Sequence, residues 1–167
     1  MRAGVPIVGL EPSCTAVLRH DVVELLPGDE RAALVARHTR TLAELLAETP
    51  GWTPPPLADV DAVAQPHCHH HAVMGWDADK ALLTGAGARV QAVGGCCGLA
   101  GNFGVEQGHY DVSVQVAETA LLPAVRAAAD DAVVLADGFS CRTQLEQLSE
   151  RRGIHLAQLL DSRRDRR

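Results

Sequence analysis

The chain has 167 residues, enough for one domain with one sizeable core, and its 47% hydrophobic and 22% charged residues are those of a folded protein whose core, with 3% aromatics, must be built from Ala, Val and Leu. A net charge of −6 argues against a nucleic-acid footprint, and no apolar run approaches the ~18 residues of a membrane span. Five cysteines at irregular spacing do not read as a secreted disulfide framework, and Met1-Arg2 leads into "AGVPIVGL" without a signal-peptide h-region, so a reducing cytoplasm with metal-bound or catalytic thiols is expected.

Along the chain, "VPIVGLEP" (5–12) is a β-type run. Residues 15–26 carry Val17, Leu18, Val22, Leu25 and Leu26 at helical spacing, and residues 30–48 carry Leu34, Val35, Leu42, Leu45 and Leu46. "PGWTPPP" (50–56) is a loop, because three consecutive prolines exclude helix. "VDAVAQP" (60–66) is a second strand. A helix over 77–85 has Asp77 as its expected N-cap and stops at Gly85 or Gly87. "ARVQAVGG" (88–95) is a third strand, and Pro123 should kink or split the long helix over 108–128. "AVVLADG" (132–138) is a fourth strand, followed by helices over 142–152 and 155–161 and a basic tail over 162–167. Strands alternating with helices predict an α/β, Rossmann-like domain spanning 1–167. Its sheet would be mostly parallel and four-stranded, with flanking helices. The chain opens almost directly on a buried-type strand, which implies a missing neighbour and favours self-association or docking through an unpaired edge or apolar face.

The cysteines follow this pattern. Cys14 comes after the first strand, Cys68 after the second, Cys96 and Cys97 after the third, and Cys141 after the fourth. In a parallel sheet the C-terminal strand ends share one edge, where α/β folds bind ligands, so the five thiols should converge. Helix N-termini there should lower thiol pKa, with Ser13 and Ser140 as candidate caps. Between Cys96/Cys97 and the next helix, "GGCCGLAGNFG" (94–104) is almost bare of side chains. Gly95, Gly98 and Gly101, with Gly94 and Gly104, would let the backbone approach a bulky group and donate N–H bonds to its sulfurs. Adjacent cysteines rarely bridge each other. The pattern therefore points to a metal centre, with a catalytic or redox thiol protein as the alternative.

"HCHHHAV" (67–73) adds imidazoles, which suit zinc, iron and nickel. Alternate side chains point apart, so one of His67, His69 or His71 is the expected ligand rather than all of them. Neither G-x-G-x-x-G, nor a phosphate-binding loop, nor a G-x-S-x-G elbow occurs.

Taken together, "GLEPSC", "HCHHHAV", "GGCCGLAGNFG", "GHYDVSVQVAE" and "DGFSCRTQL" closely resemble the C-terminal cysteine-rich (CCG) domain of FAD-linked oxidases fused to iron–sulfur modules. These are bacterial dehydrogenases of the D-lactate and D-2-hydroxyglutarate type. More distant relatives are the glycolate oxidase iron–sulfur subunit, lactate-utilisation proteins and heterodisulfide reductase. The resemblance covers about residues 5–160. It implies an electron-transfer module that serves a flavoprotein dehydrogenase domain or subunit alongside other iron–sulfur domains, a partner through which it could sit at the inner face of a membrane. It also implies an iron–sulfur cluster, 4Fe-4S in type, on Cys14, Cys68, Cys96, Cys97 and Cys141, with zinc as the alternative metal and FAD held only by a partner or missing domain. The heterodisulfide reductase pattern ends in Cys-x-x-Cys, whereas here the last position is Gln144. Family members are also much longer, so the chain resembles the C-terminal piece of such an enzyme.

Overall fold

A computed structural model describes residues 4–164, and both ends of the sequence, including residues 165–167 of the basic tail, lie outside them. Among the described residues, six strands fall into two parallel sheets. β1 (Ile7–Gly9) pairs with β2 (Thr39–Thr41), while β3 (Asp61–Ala64), β4 (Arg89–Ala92), β5 (Val133–Leu135) and β6 (Gly153–Ile154) form a four-stranded sheet in the order β4-β3-β5-β6. Each of the four β-type runs contains a strand. The first, however, leaves the main sheet for a two-stranded ribbon, and its place is taken by the two-residue β6, which is too short to show a periodicity.

β2 interrupts the helix expected over 30–48. α3 (Glu30–His38) ends where Thr39 enters extended backbone, and α4 (Leu42–Glu48) begins on Thr41 as N-cap, with a reciprocal capping box to Glu44. Both threonines are buried, and β-branched side chains with a hydroxyl to spare favour this strand-and-cap over continued helix. The long helix over 108–128 splits into α6 (Tyr110–Thr119) and α7 (Leu121–Ala127) at Ala120. Pro123 accounts for this, because it has no N–H for the Thr119 carbonyl and its ring would clash there. α5 (Asp77–Gly85) ends where expected, but its N-cap is Trp76 and Asp77 is its first helical residue. α8 (Phe139–Leu148) starts three residues earlier than the helical pattern over 142–152. α9 (Leu156–Ser162) closes the fold, and after it Arg163 pairs with Asp59 at 2.6 Å.

The main sheet separates two cores, as period-two side-chain alternation requires. Ala62, Ala64 and Leu135 face Ala43 of α4, Leu83 of α5, and Leu156 and Leu159 of α9. Val63, Val134 and Ala136 face Leu121 and Val125 of α7 and Leu145 of α8. Each fully buried Leu contributes roughly 1.5–3 kcal/mol of apolar transfer. In chain order the four strands stand 2-1-3-4, so α5 crosses over one face while α6, α7 and α8 lie on the other. Winding reverses between β3 and β5, which opens a crevice outside their C-terminal ends.

The ribbon is anchored to this edge. Before the main sheet comes α1 (Pro12–Ala16), which runs through a π-helical turn (Val17–Asp21) into α2 (Val22–Leu25). His155 caps α9 with Nδ1, accepting from the Ala157 N–H, so its Nε2–H donates to the Leu10 carbonyl at 2.8 Å.

Candidate metal centre

Three of the four cysteine-bearing segments leave adjacent strands of the main sheet at the reversal crevice. Cys68 follows β3, Cys96 and Cys97 follow β4, and Cys141 lies in the first turn of α8 after β5. Cys14, in α1, arrives from the separate ribbon. Burial is graded: Cys141 and Cys97 are buried in the second core, Cys96 is half-buried, and Cys68 and Cys14 are exposed.

Two polar side chains draw the segments together. Glu11 is the N-cap of α1. Its carboxylate accepts from the Cys14 N–H at 2.9 Å and the Ser13 hydroxyl at 3.2 Å, and across the crevice from the Phe139 N–H at 3.3 Å. One carboxylate therefore caps both α1 and α8. Burial pushes Glu11 up, but the two backbone N–H groups and the nearby His67 outweigh it, and its pKa lies below the ordinary value. His67 is buried. Its Nδ1 accepts from the His69 N–H at 3.2 Å, which leaves Nε2 facing the Ser13 and Ser140 hydroxyls, each at 3.4 Å. Ser13 and Ser140 are thus not helix caps, as the sequence suggested. The caps are Glu11 and Gly138, and the serines hold the His67 ring between the two Ser-Cys helix starts. Gly138 has to be glycine, since a Cβ there would stand 2.3 Å from His67 Cδ2.

The thiols influence one another along a chain from Cys68 through Cys96 and Cys97 to Cys141. Interaction with Cys141 pushes Cys97 up to about 11, Cys97 raises Cys96 further, and burial together with Cys96 raises Cys68. On the rim, the negative charge of Glu11 raises Cys14. The lowering expected from helix N-termini is not found at Cys14, Cys68, Cys96 or Cys97, where burial and neighbouring acidic groups raise the thiol pKa instead. A cation resolves such crowding by deprotonating its ligand thiols outright. Among the described residues, no three of the sulfurs lie within 4.8 Å of one another.

The glycine loop serves two purposes. Gly94, Gly95 and Gly101 have open space where a Cβ would stand, whereas a Cβ on Gly98 would meet the Ser113 carbonyl at 2.2 Å, so Gly98 admits α6 rather than a ligand. The Gly98 N–H donates to Cys96 Sγ at 3.3 Å, as the expected N–H···S pattern requires. Gln144, at the position where the heterodisulfide reductase pattern has cysteine, is buried and donates to Ser113 Oγ at 2.9 Å, tying α8 to α6 beneath the loop. An open groove of about 740 Å³ reaches the thiols past Cys68, Cys96, Gly94, Gly95, His71 and Lys80.

The histidine run diverges, as alternation predicted. His69 and His71 are exposed, while His70, at the start of the π-helical turn His70–Met74, turns inward towards α5. Sequence reasoning missed Glu11, and it did not bring His70 together with Asp79 and Asp137. Only the "EPSC" motif hinted at Glu11, and nothing linked three residues so far apart in the chain.

No protein-family profile matches the chain, and no solved structure matches it. It is 29% identical over 157 residues to a D-2-hydroxyglutarate dehydrogenase of Pseudomonas putida (strain KT2440). That alignment covers 91% of this chain and 14% of the relative, so the chain spans about one-seventh of the length of the curated protein it matches.

Proposed function

We propose that this domain holds an iron–sulfur cluster, 4Fe-4S in type, at the crevice and acts as an electron-transfer module of a 2-hydroxy-acid oxidoreductase of the D-lactate, D-2-hydroxyglutarate or glycolate type. The observation that carries the reading is the convergence of Cys68, Cys96, Cys97 and Cys141 from three adjacent strands at the reversal edge, with Cys97 and Cys141 packed in one core, Cys14 on the rim and a backbone N–H aimed at Cys96 Sγ. The donor set fits the group: sulfur ligands from separate segments, an N–H···S bond and open backbone at Gly95 and Gly101.

When bound, such a cluster supplies one-electron transfer. The chain's own residues hold it: Cys96 and Cys97 from the glycine loop, Cys141 from α8, Cys68 after β3 and Cys14 from α1. Glu11 and His67 keep α1 and α8 together. With both ring nitrogens engaged, we assign His67 to positioning, which leaves two exposed imidazoles near Cys68: His69, next to it in the chain, and His71, which lines the groove with Cys68 and Cys96.

Oxidation of a 2-hydroxy acid requires a hydride acceptor such as flavin. In this reading FAD belongs to another domain or subunit, and the similarity to part of a D-2-hydroxyglutarate dehydrogenase supports that class of partner. Exposed apolar side chains beside the site, Leu10 and Phe139, suit such a contact. The test is anaerobic reconstitution with iron and sulfide. A brown protein with iron and acid-labile sulfide in similar amounts is expected, and it should reduce no dye with hydroxy acid alone. A colourless protein that takes only zinc at the thiols would overturn the cluster reading, and hydroxy-acid turnover by the isolated chain would overturn the module reading.

A further inference from the structure

On the opposite face of β3 from the thiol-bearing core, three residues from three segments meet, His70 and Asp79 buried and Asp137 half-buried. His70 comes from the π-helical turn after β3, Asp79 from the first turns of α5, and Asp137 from the end of β5. One ligand-type atom of each lies within 4.8 Å of the other two. His70 and Asp79 are each 3% exposed. His70 Nε2 and Asp79 Oδ2 stand 3.2 Å apart as a buried ion pair out of hydrogen-bond alignment, and neither atom has another hydrogen-bond partner among the described residues. Gln65, whose Oε1 is buried and likewise unpartnered, lines the same small cavity, which has a volume of about 10 Å³.

We propose that His70, Asp79 and Asp137 form a second, mononuclear site for a divalent cation of the zinc class, separate from the thiol crevice. Burial pushes the Asp137 carboxyl above its ordinary pKa, so in the metal-free chain a proton relieves the crowding of two carboxylates beside one imidazole, and a divalent ion can take that proton's place. Such an ion would bind both carboxylates in ionised form and give His70 Nε2 and Asp79 Oδ2 a shared partner. The spacing agrees. Donors about 2.1 Å from a tetrahedral ion stand about 3.4 Å apart, close to the 3.2 Å between His70 Nε2 and Asp79 Oδ2. An N/O set with no sulfur suits zinc or manganese rather than a cluster. Asp137 is already oriented, because its Oδ1 accepts the Leu156 N–H at 2.7 Å. The ion would staple α5 and the end of β5 to the turn that follows Cys68. This site does not depend on whether the thiols hold iron, zinc or nothing.

The test uses the full chain, stripped of metal and free of iron, titrated with Mn²⁺ while the signal of free aqueous Mn²⁺ is followed by electron paramagnetic resonance. Mn²⁺ is chosen because thiolates bind it poorly. One equivalent should bind, Zn²⁺ should displace it, and either ion should raise the melting temperature. Asp79→Asn and Asp137→Asn should each weaken binding by about tenfold or more, since even partners of a ligand cost that much, with the far-ultraviolet circular dichroism unchanged. If those variants do not fold, Mn²⁺ uptake by Cys96→Ser decides: retained uptake supports the N/O site, and lost uptake assigns the ion to the thiols. Failure of the wild-type chain to bind Mn²⁺, or folded Asn variants that bind as well as wild type, would overturn the proposal.

Discussion

The chain uses the dipeptide Ser-Cys twice at the start of a helix, with opposite outcomes. Ser13-Cys14 and Ser140-Cys141 occupy equivalent positions in α1 and α8, and His67 Nε2 lies 3.4 Å from both serine hydroxyls. Cys141 is nevertheless buried and Cys14 exposed. The difference lies beneath the helices. α8 packs Leu145 into a core walled by Val63, Val134 and Ala136 of the four-stranded sheet. α1 rests on a ribbon of two three-residue strands, flanked by exposed Val8, Leu10 and Val17. Local sequence sets a thiol at a helix start, and the supporting sheet decides whether water reaches it. In the proposed centre, Cys141 would be a fixed ligand and Cys14 the adjustable one.

The largest expected effect comes from breaking the link on the α8 side. Gly138→Ala drives a Cβ into the buried His67 ring and should cost roughly 3 kcal/mol, the upper end for overpacking. Thermal melts check it, and a change under 1 kcal/mol would show that the ring is not held between the serines.

Next, Cys141→Ser should destabilise the metal-free protein by about 2 kcal/mol, because a hydroxyl is costlier to bury than a thiol and its neighbour Cys97 is only a weak acceptor. The same change should abolish iron uptake on reconstitution. Equal iron uptake by Cys141→Ser and Cys14→Ser would erase the proposed contrast between the two helices.

Glu11 couples the two sides, and its effect should depend on pH. Its folded pKa is below the ordinary glutamate value of 4.5. Its contribution is therefore complete above 4.5 and is lost as pH falls through the lower folded value. Glu11→Gln should cost about 1 kcal/mol at neutral pH, as for other N-caps. It should also flatten the acid limb of metal-free stability measured by urea unfolding between pH 7 and pH 3. An unchanged acid limb would mean that the bridge to Phe139 does not form.

The smallest effect is expected for Cys14→Ser, whose exposure should keep the stability change of the metal-free protein within about 0.5 kcal/mol. A large loss would show that Cys14 is packed rather than on the rim.

Much of this was legible in the sequence. The β-type runs, the helix stop at Gly85 and the split before Pro123 follow from local propensity and backbone sterics, which act over a few residues. So does the placement of each cysteine just after a strand, since Gly, Pro and the apolar runs mark where strands end. What required the tertiary structure is long-range. β1 pairs with β2 instead of joining the main sheet because Thr39 and Thr41 are buried against it, a choice between partners of similar local propensity. Gln144, His67 and Glu11 have their roles because of segments 31, 73 and 128 residues away. The raised thiol pKa values at Cys14, Cys68, Cys96 and Cys97 also needed the fold, because electrostatic crowding depends on distance in space, which chain spacing does not encode. The joining of His70, Asp79 and Asp137 is likewise a product of strand order: only when β5 lies beside β3, with α5 folded over the same face, do an imidazole and two carboxylates meet.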